Sequence, residues 1–101
     1  MGNSAQTTQS ILQAQRDAIL KLAEKHGVHN VRVFGSVVRG EETADSDIDF
    51  LVDLGETLSP WFPTGLIRDL EALLGRKVDV VTARSLHYYI RDKVLEEAQP
   101  L

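Results

Sequence analysis

Val33-Phe34-Gly35-Ser36-Val37-Val38-Arg39-Gly40, then an acidic loop, then Ser46-Asp47-Ile48-Asp49-Phe50-Leu51-Val52-Asp53, is the stretch that decides the fold of this chain. Val31 to Phe34 is short and β-rich and stops at Gly35-Ser36. A strand ending on glycine lets the backbone approach a ligand, because no Cβ stands in the way. Val37 to Gly40 is compatible with a single helical turn, whose leading amides would point at an anion. The Ser36 hydroxyl adds a donor, and Arg39 a permanent charge with a fork suited to phosphate. Gly35, Ser36 and Arg39 are therefore the candidate phosphate-binding residues. A Gly-Ser pair alone is a common turn, so the weight comes from the aspartates downstream of it.

Ile48 to Leu54 is an apolar run broken only by Asp49 and Asp53, which predicts a buried strand. Residues two apart on a strand project from one face, so Asp47 and Asp49 are expected side by side. Two carboxylates so placed repel each other unless a cation lies between them, and hard oxygen ligands plus substrate phosphates are what Mg²⁺ prefers. In isolation, Asp-x-Asp reads as a strand opening with Asp47 capping a local turn. Joined to Gly-Ser at this spacing, it reads better as a metal site. Asp53 shares the face but lies further along, and is read as a strand-end residue rather than a ligand. Arg76 to Thr82 predicts another strand, with Asp79 interrupting its valines. A charge in a β-branched run needs a partner or a cation; Arg76 or Lys77 would serve as the plain alternative.

From Phe34 to Asp53 the pattern closely resembles the polymerase-β-type nucleotidyltransferases, and its surroundings resemble their minimal branch, often antitoxins paired with HEPN-domain toxins. The resemblance implies an α+β core with a three-stranded mixed sheet and helices packed on one face. It implies that Asp79 joins Asp47 and Asp49 as the third acidic ligand of a two-ion Mg²⁺ site and takes the proton from the attacking hydroxyl. It further implies AMP transfer from ATP, most plausibly to a tyrosine hydroxyl of a HEPN-type toxin in a hetero-oligomer.

Working outward, residues 1–8 are small and polar and are expected to be a frayed terminus, with residues 9–101 forming one nucleotidyltransferase domain. Gln9 to His26 carries apolar residues at helical spacing and ends at Gly27. After the second strand comes a loop from Gly55 to Pro63, in which Trp61 and Phe62 either plug the core or rest under a base. Leu66, Ile67, Leu70, Leu73 and Leu74 mark an amphipathic helix stopping at Gly75. Ser85 is expected to cap a last helix carrying Leu86, Tyr89, Ile90, Val94 and Ala98, with one of Tyr88 and Tyr89 in the core and the other exposed. The expected order is α-β-(short α)-β-α-β-α. Glu41, Glu42 and Asp45 read as a solvated acidic loop, and His26, His29 and His87 lack ligand spacing.

At 101 residues, 43% hydrophobic and 26% charged, the chain falls with compact globular domains. It has no cysteine, which excludes disulfides and thiolate chemistry and agrees with a cytoplasmic setting. No apolar run approaches a membrane span, so no membrane partner is expected. A net charge of −4 argues against nucleic acid as the main partner. The acceptor is instead expected to be a protein, meeting the cleft edge and the last helix around Arg91 and Lys93. Two alternatives remain: a stoichiometric binder that neutralises its partner without chemistry, and an aminoglycoside-type enzyme, which the lack of an acceptor-holding helical domain disfavours.

Overall fold

The structure, a computed structural model, describes residues 7–101. Two short helices open it, α1 (Thr8–Ala14) and α2 (Arg16–Lys25), broken at Gln15 where one continuous helix was expected. Thr7 starts α1 by accepting a hydrogen bond from the Ser10 amide, which spares one of the amides a helix start leaves unpaired. Of the segment expected to fray, residues 1–6 lie outside the described residues; Thr7 and the buried Thr8 belong to the helix start.

Strand β1 (Val28–Phe34) leads through α3 (Ser36–Arg39) to β2 (Ile48–Leu54), then α4 (Thr64–Leu74) and β3 (Val78–Val81). A 3₁₀ turn (Ala83–Ser85), α5 (Tyr88–Glu97) and β4 (Gln99–Pro100) complete the fold. The sheet has four strands rather than three, in the order β3-β2-β1-β4. The fourth was hidden because β4 is two residues long and contains a proline, which is tolerated at a sheet edge. β2 runs antiparallel to β1 and parallel to β3, so the sheet is mixed as expected.

Side-chain alternation divides the core. Ile48, Phe50 and Val52 join Leu12, Ile19, Ala23, Leu66 and Leu70, placing α1, α2 and α4 over one face. Phe50 is 0% exposed, and truncating it to alanine should cost roughly 3–5 kcal/mol. Leu51 points the other way and meets Leu86 and Val94, so α5 covers part of the opposite face instead of joining the main helical layer. Ser85 belongs to the 3₁₀ turn and forms a capping box with Thr82, while the α5 cap is His87. Tyr88 and Tyr89 are both exposed and stack with His87, so neither enters the core.

Several charged residues hold the connections. Arg76 donates to Thr8 Oγ1 (3.0 Å), the Ser46 carbonyl (2.7 Å) and Glu42 (3.3 Å), so the acidic loop is tied to α1 rather than merely solvated. His26 is buried, with its ring nitrogens 3.0 Å from Ser59 Oγ and 2.8 Å from Asp69 Oδ2, a structural clamp on the loop after β2. Within that loop Phe62 packs against the core, whereas Trp61 is 72% exposed and plugs nothing.

Candidate active site

Asp49 and Asp79 are register partners on the parallel strands β2 and β3, and so share one face and one sheet end. Asp47 immediately precedes β2, two residues from Asp49, and is exposed. Among the described residues neither Asp47 nor Asp79 forms an ion pair; Arg76 and Lys77 leave Asp79 alone, and its Oδ1 accepts only from the Val80 amide at 3.0 Å. The carboxylate field falls on Asp49. Its pKa is pushed up to about 6, first by burial and then by the charges of Asp79 and Asp47, with Arg39 partly offsetting them. No three acidic or imidazole side chains among the described residues converge into a ready-made metal cage. The repulsion that Asp79 and Asp47 exert on Asp49 is what a divalent cation would relieve.

Gly35 brings the second half of the site against the first. It lies at φ +84° and ψ −151°, between β1 and α3, and a Cβ there would run into Asp49 Oδ2. Only glycine combines that backbone with that proximity. Ser36 opens α3 and is half-buried, and Arg39 closes it. The Arg39 guanidinium donates to Glu41 at 2.9 Å and to both oxygens of Glu97 at 2.9 and 3.1 Å, and these hydrogen bonds raise its pKa further. The Gly35 amide also donates to Glu97, at 2.6 Å. Burial opposes ionisation of Glu97, yet the Arg39 and Gly35 donors prevail and hold its pKa below the ordinary range.

The six residues singled out in the sequence thus lie at one end of the sheet, in or just before β2, on β3, and in the β1–α3 turn and α3. Glu97 was missed, and no local pattern marks it, because its contacts join positions 62 and 58 residues apart. Asp53 is held away from the cluster by Arg32 at 2.6 Å and Asn30 at 2.9 Å. Arg91, expected on the partner surface of the last helix, donates to the Ala83 and Leu86 carbonyls and fastens α5 to the preceding turn.

Residues 16–101 match the family model of the nucleotidyltransferase domain. The chain belongs to this family. It is 46% identical to the protein adenylyltransferase MntA of Thermococcus cleftensis, over 88% of this chain and 87% of the relative. A solved structure assigned provisionally as a minimal nucleotidyltransferase matches with a TM-score of 0.80 at 44% identity, covering 98% of this chain and 100% of that one. A toxin-antitoxin structure with AMP-PNP matches with a TM-score of 0.68 at 27% identity, over 83% of this chain and 69% of that one. Among the described residues, no helix is long and apolar enough to cross a membrane.

Proposed function

We propose that this nucleotidyltransferase domain, spanning residues 9–101, is a Mg²⁺-dependent protein adenylyltransferase. It transfers AMP from ATP to a tyrosine hydroxyl of a HEPN-type toxin and acts in the cytoplasm as that toxin's antitoxin. The observation that carries this reading is the pairing of Asp49 with Asp79 directly beside the Gly35 turn, which sets a carboxylate cluster against an anion grip. The name of the Thermococcus relative and the toxin-antitoxin neighbour with AMP-PNP support the same substrate and partner class.

Asp47, Asp49 and Asp79 would hold Mg²⁺, which when bound neutralises phosphate charge and lowers the pKa of the acceptor hydroxyl. Gly35, Ser36 and Arg39 bind the β and γ phosphates and orient the α-phosphorus toward the acceptor. The acceptor oxygen bonds to the α-phosphorus as the bond to the leaving pyrophosphate breaks. Asp79, exposed and without an ion-pair partner among the described residues, accepts the hydroxyl proton.

The test is incubation with radiolabelled ATP and Mg²⁺, with and without the product of a neighbouring HEPN-like gene. Label is expected on the partner band only when that partner is present, and is lost in Asp79→Asn. Labelling of RNA or an aminoglycoside instead would overturn the reading. The exposed Tyr88, Tyr89, Ile90 and Leu95 on α5 favour a protein partner, and they equally suit a second reading, stoichiometric neutralisation. Full neutralisation by Asp79→Asn without label would select it.

A further inference from the structure

Glu97 ends α5 with its side chain only 13% exposed, aimed into the β1–α3 turn. Its Oε2 accepts from the Gly35 amide at 2.6 Å, and its two oxygens accept from Arg39 at 2.9 and 3.1 Å. Gly35 has one amide hydrogen, so it cannot serve Glu97 and a phosphate fully at the same time. A carboxylate whose two oxygens share the Arg39 Nη1 and whose Oε2 also takes the Gly35 amide occupies the donors that a phosphate would use there. We infer that Glu97 is an internal competitor for the triphosphate, an autoinhibitory contact by which the end of α5 occupies the phosphate grip until nucleotide displaces it.

This rests on the nucleotide-binding role proposed for Gly35 and Arg39, and it adds a gate to that role. The gate has a place to move. Ala98 is extended (φ −62°, ψ 136°), and beyond it β4 pairs with β1 over only two positions, Arg32 with Pro100 and Val33 with Gln99. Within α5 itself only Val94 is buried, so the helix is lightly anchored compared with α2 and α4. A group that pulls on α5 therefore also pulls on the carboxylate in the grip.

Glu97→Gln tests this, since it keeps the volume and removes the charge. Calorimetry with Mg²⁺ and AMP-PNP should show binding about tenfold or more tighter than wild type, the scale of a charged hydrogen bond, with adenosine, which has no phosphate, unaffected. Equal or weaker AMP-PNP binding by Glu97→Gln would overturn the inference, and weaker binding would reassign Glu97 to positioning Arg39. A second readout needs no nucleotide: the Gly35 amide resonance should move upfield in Glu97→Gln, and an unmoved resonance overturns the contact itself. Failure of the underlying reading looks different, because then neither wild type nor variant binds AMP-PNP, and the gate falls with it.

Discussion

Asp49 and Asp79 stand opposite each other on neighbouring parallel strands, and the burial of Asp49, reinforced by the charge of Asp79, makes Asp49 hard to ionise. Its folded pKa of about 6 lies above the ordinary 3.8, so the native state holds the proton more tightly than the unfolded chain. The associated stability is fully present below pH 3.8 and is lost as pH rises through about 6. Asp49→Asn should therefore melt higher than wild type in chelator above pH 6, with the gap closing toward pH 4. After allowance for solvent screening at this half-buried site, the gain is on the order of 1 kcal/mol, or about 4–8 °C. Thermal melts of both proteins across that range check it.

Proton and cation compete for the same carboxylate. Mg²⁺ binding should weaken by about tenfold for each pH unit below 6, and transfer should fall with it. In Asp79→Asn the Asp49 carboxyl should titrate lower, because one of its repelling neighbours is gone. A ¹³C-carboxyl titration of the two proteins measures that displacement directly.

Gly35 and Gly40 both take positive φ, +84° and +73°, yet they should respond differently to alanine. A methyl at 40 meets nothing within 4 Å and carries only left-handed backbone strain, about 1 kcal/mol. At 35 it also strikes the Asp49 carboxylate, so Gly35→Ala should cost roughly 2 kcal/mol or more and abolish nucleotide binding. Denaturant melts beside AMP-PNP calorimetry separate the two.

Asp53 is the control carboxylate. It shares a face with Asp49 but is engaged by Arg32 and Asn30. Asp53→Asn should lose at most about 1 kcal/mol, as for a partly exposed pair, and keep full transfer. Loss of transfer with the fold intact would bring Asp53 into the site.

The central motif was legible because its logic is local. β2 carries its alternation in the residues themselves, and Gly35-Ser36 stops β1 where the turn is needed. Glycines at 27, 40 and 75 close their elements with the positive φ that other residues resist. What escaped depends on distant parts of the chain. β4 is only two residues long and exists through its pairing with β1. One of the two tyrosines of α5 looks like core by spacing, but Leu86, just before the helix, takes the buried position beside Leu51. Glu97 is a charge near a helix end like many others, and its meaning comes from Gly35 and Arg39.

Strand β1 contains one residue too many for a regular ladder: His29 pairs with Asp53, and Arg32 with Leu51, with the shift between them. Asn30 absorbs the extra residue at φ +52°. Before the bulge Val28 faces the main core, and after it Val31 and Val33 do, leaving Arg32 and Phe34 on the side of Asp49. The bulge therefore acts as a parity switch for everything downstream. Deleting Asn30 would only regularise the ladder and leave Arg32 opposite Leu51, whereas a regular ladder that kept Asn30 would slide Arg32 opposite Phe50 and drive it into the hydrocarbon interior. That half-rotation would deliver Gly35 to the wrong side of the sheet, so a tidier strand of the same length would silence a site whose own residues were all still present.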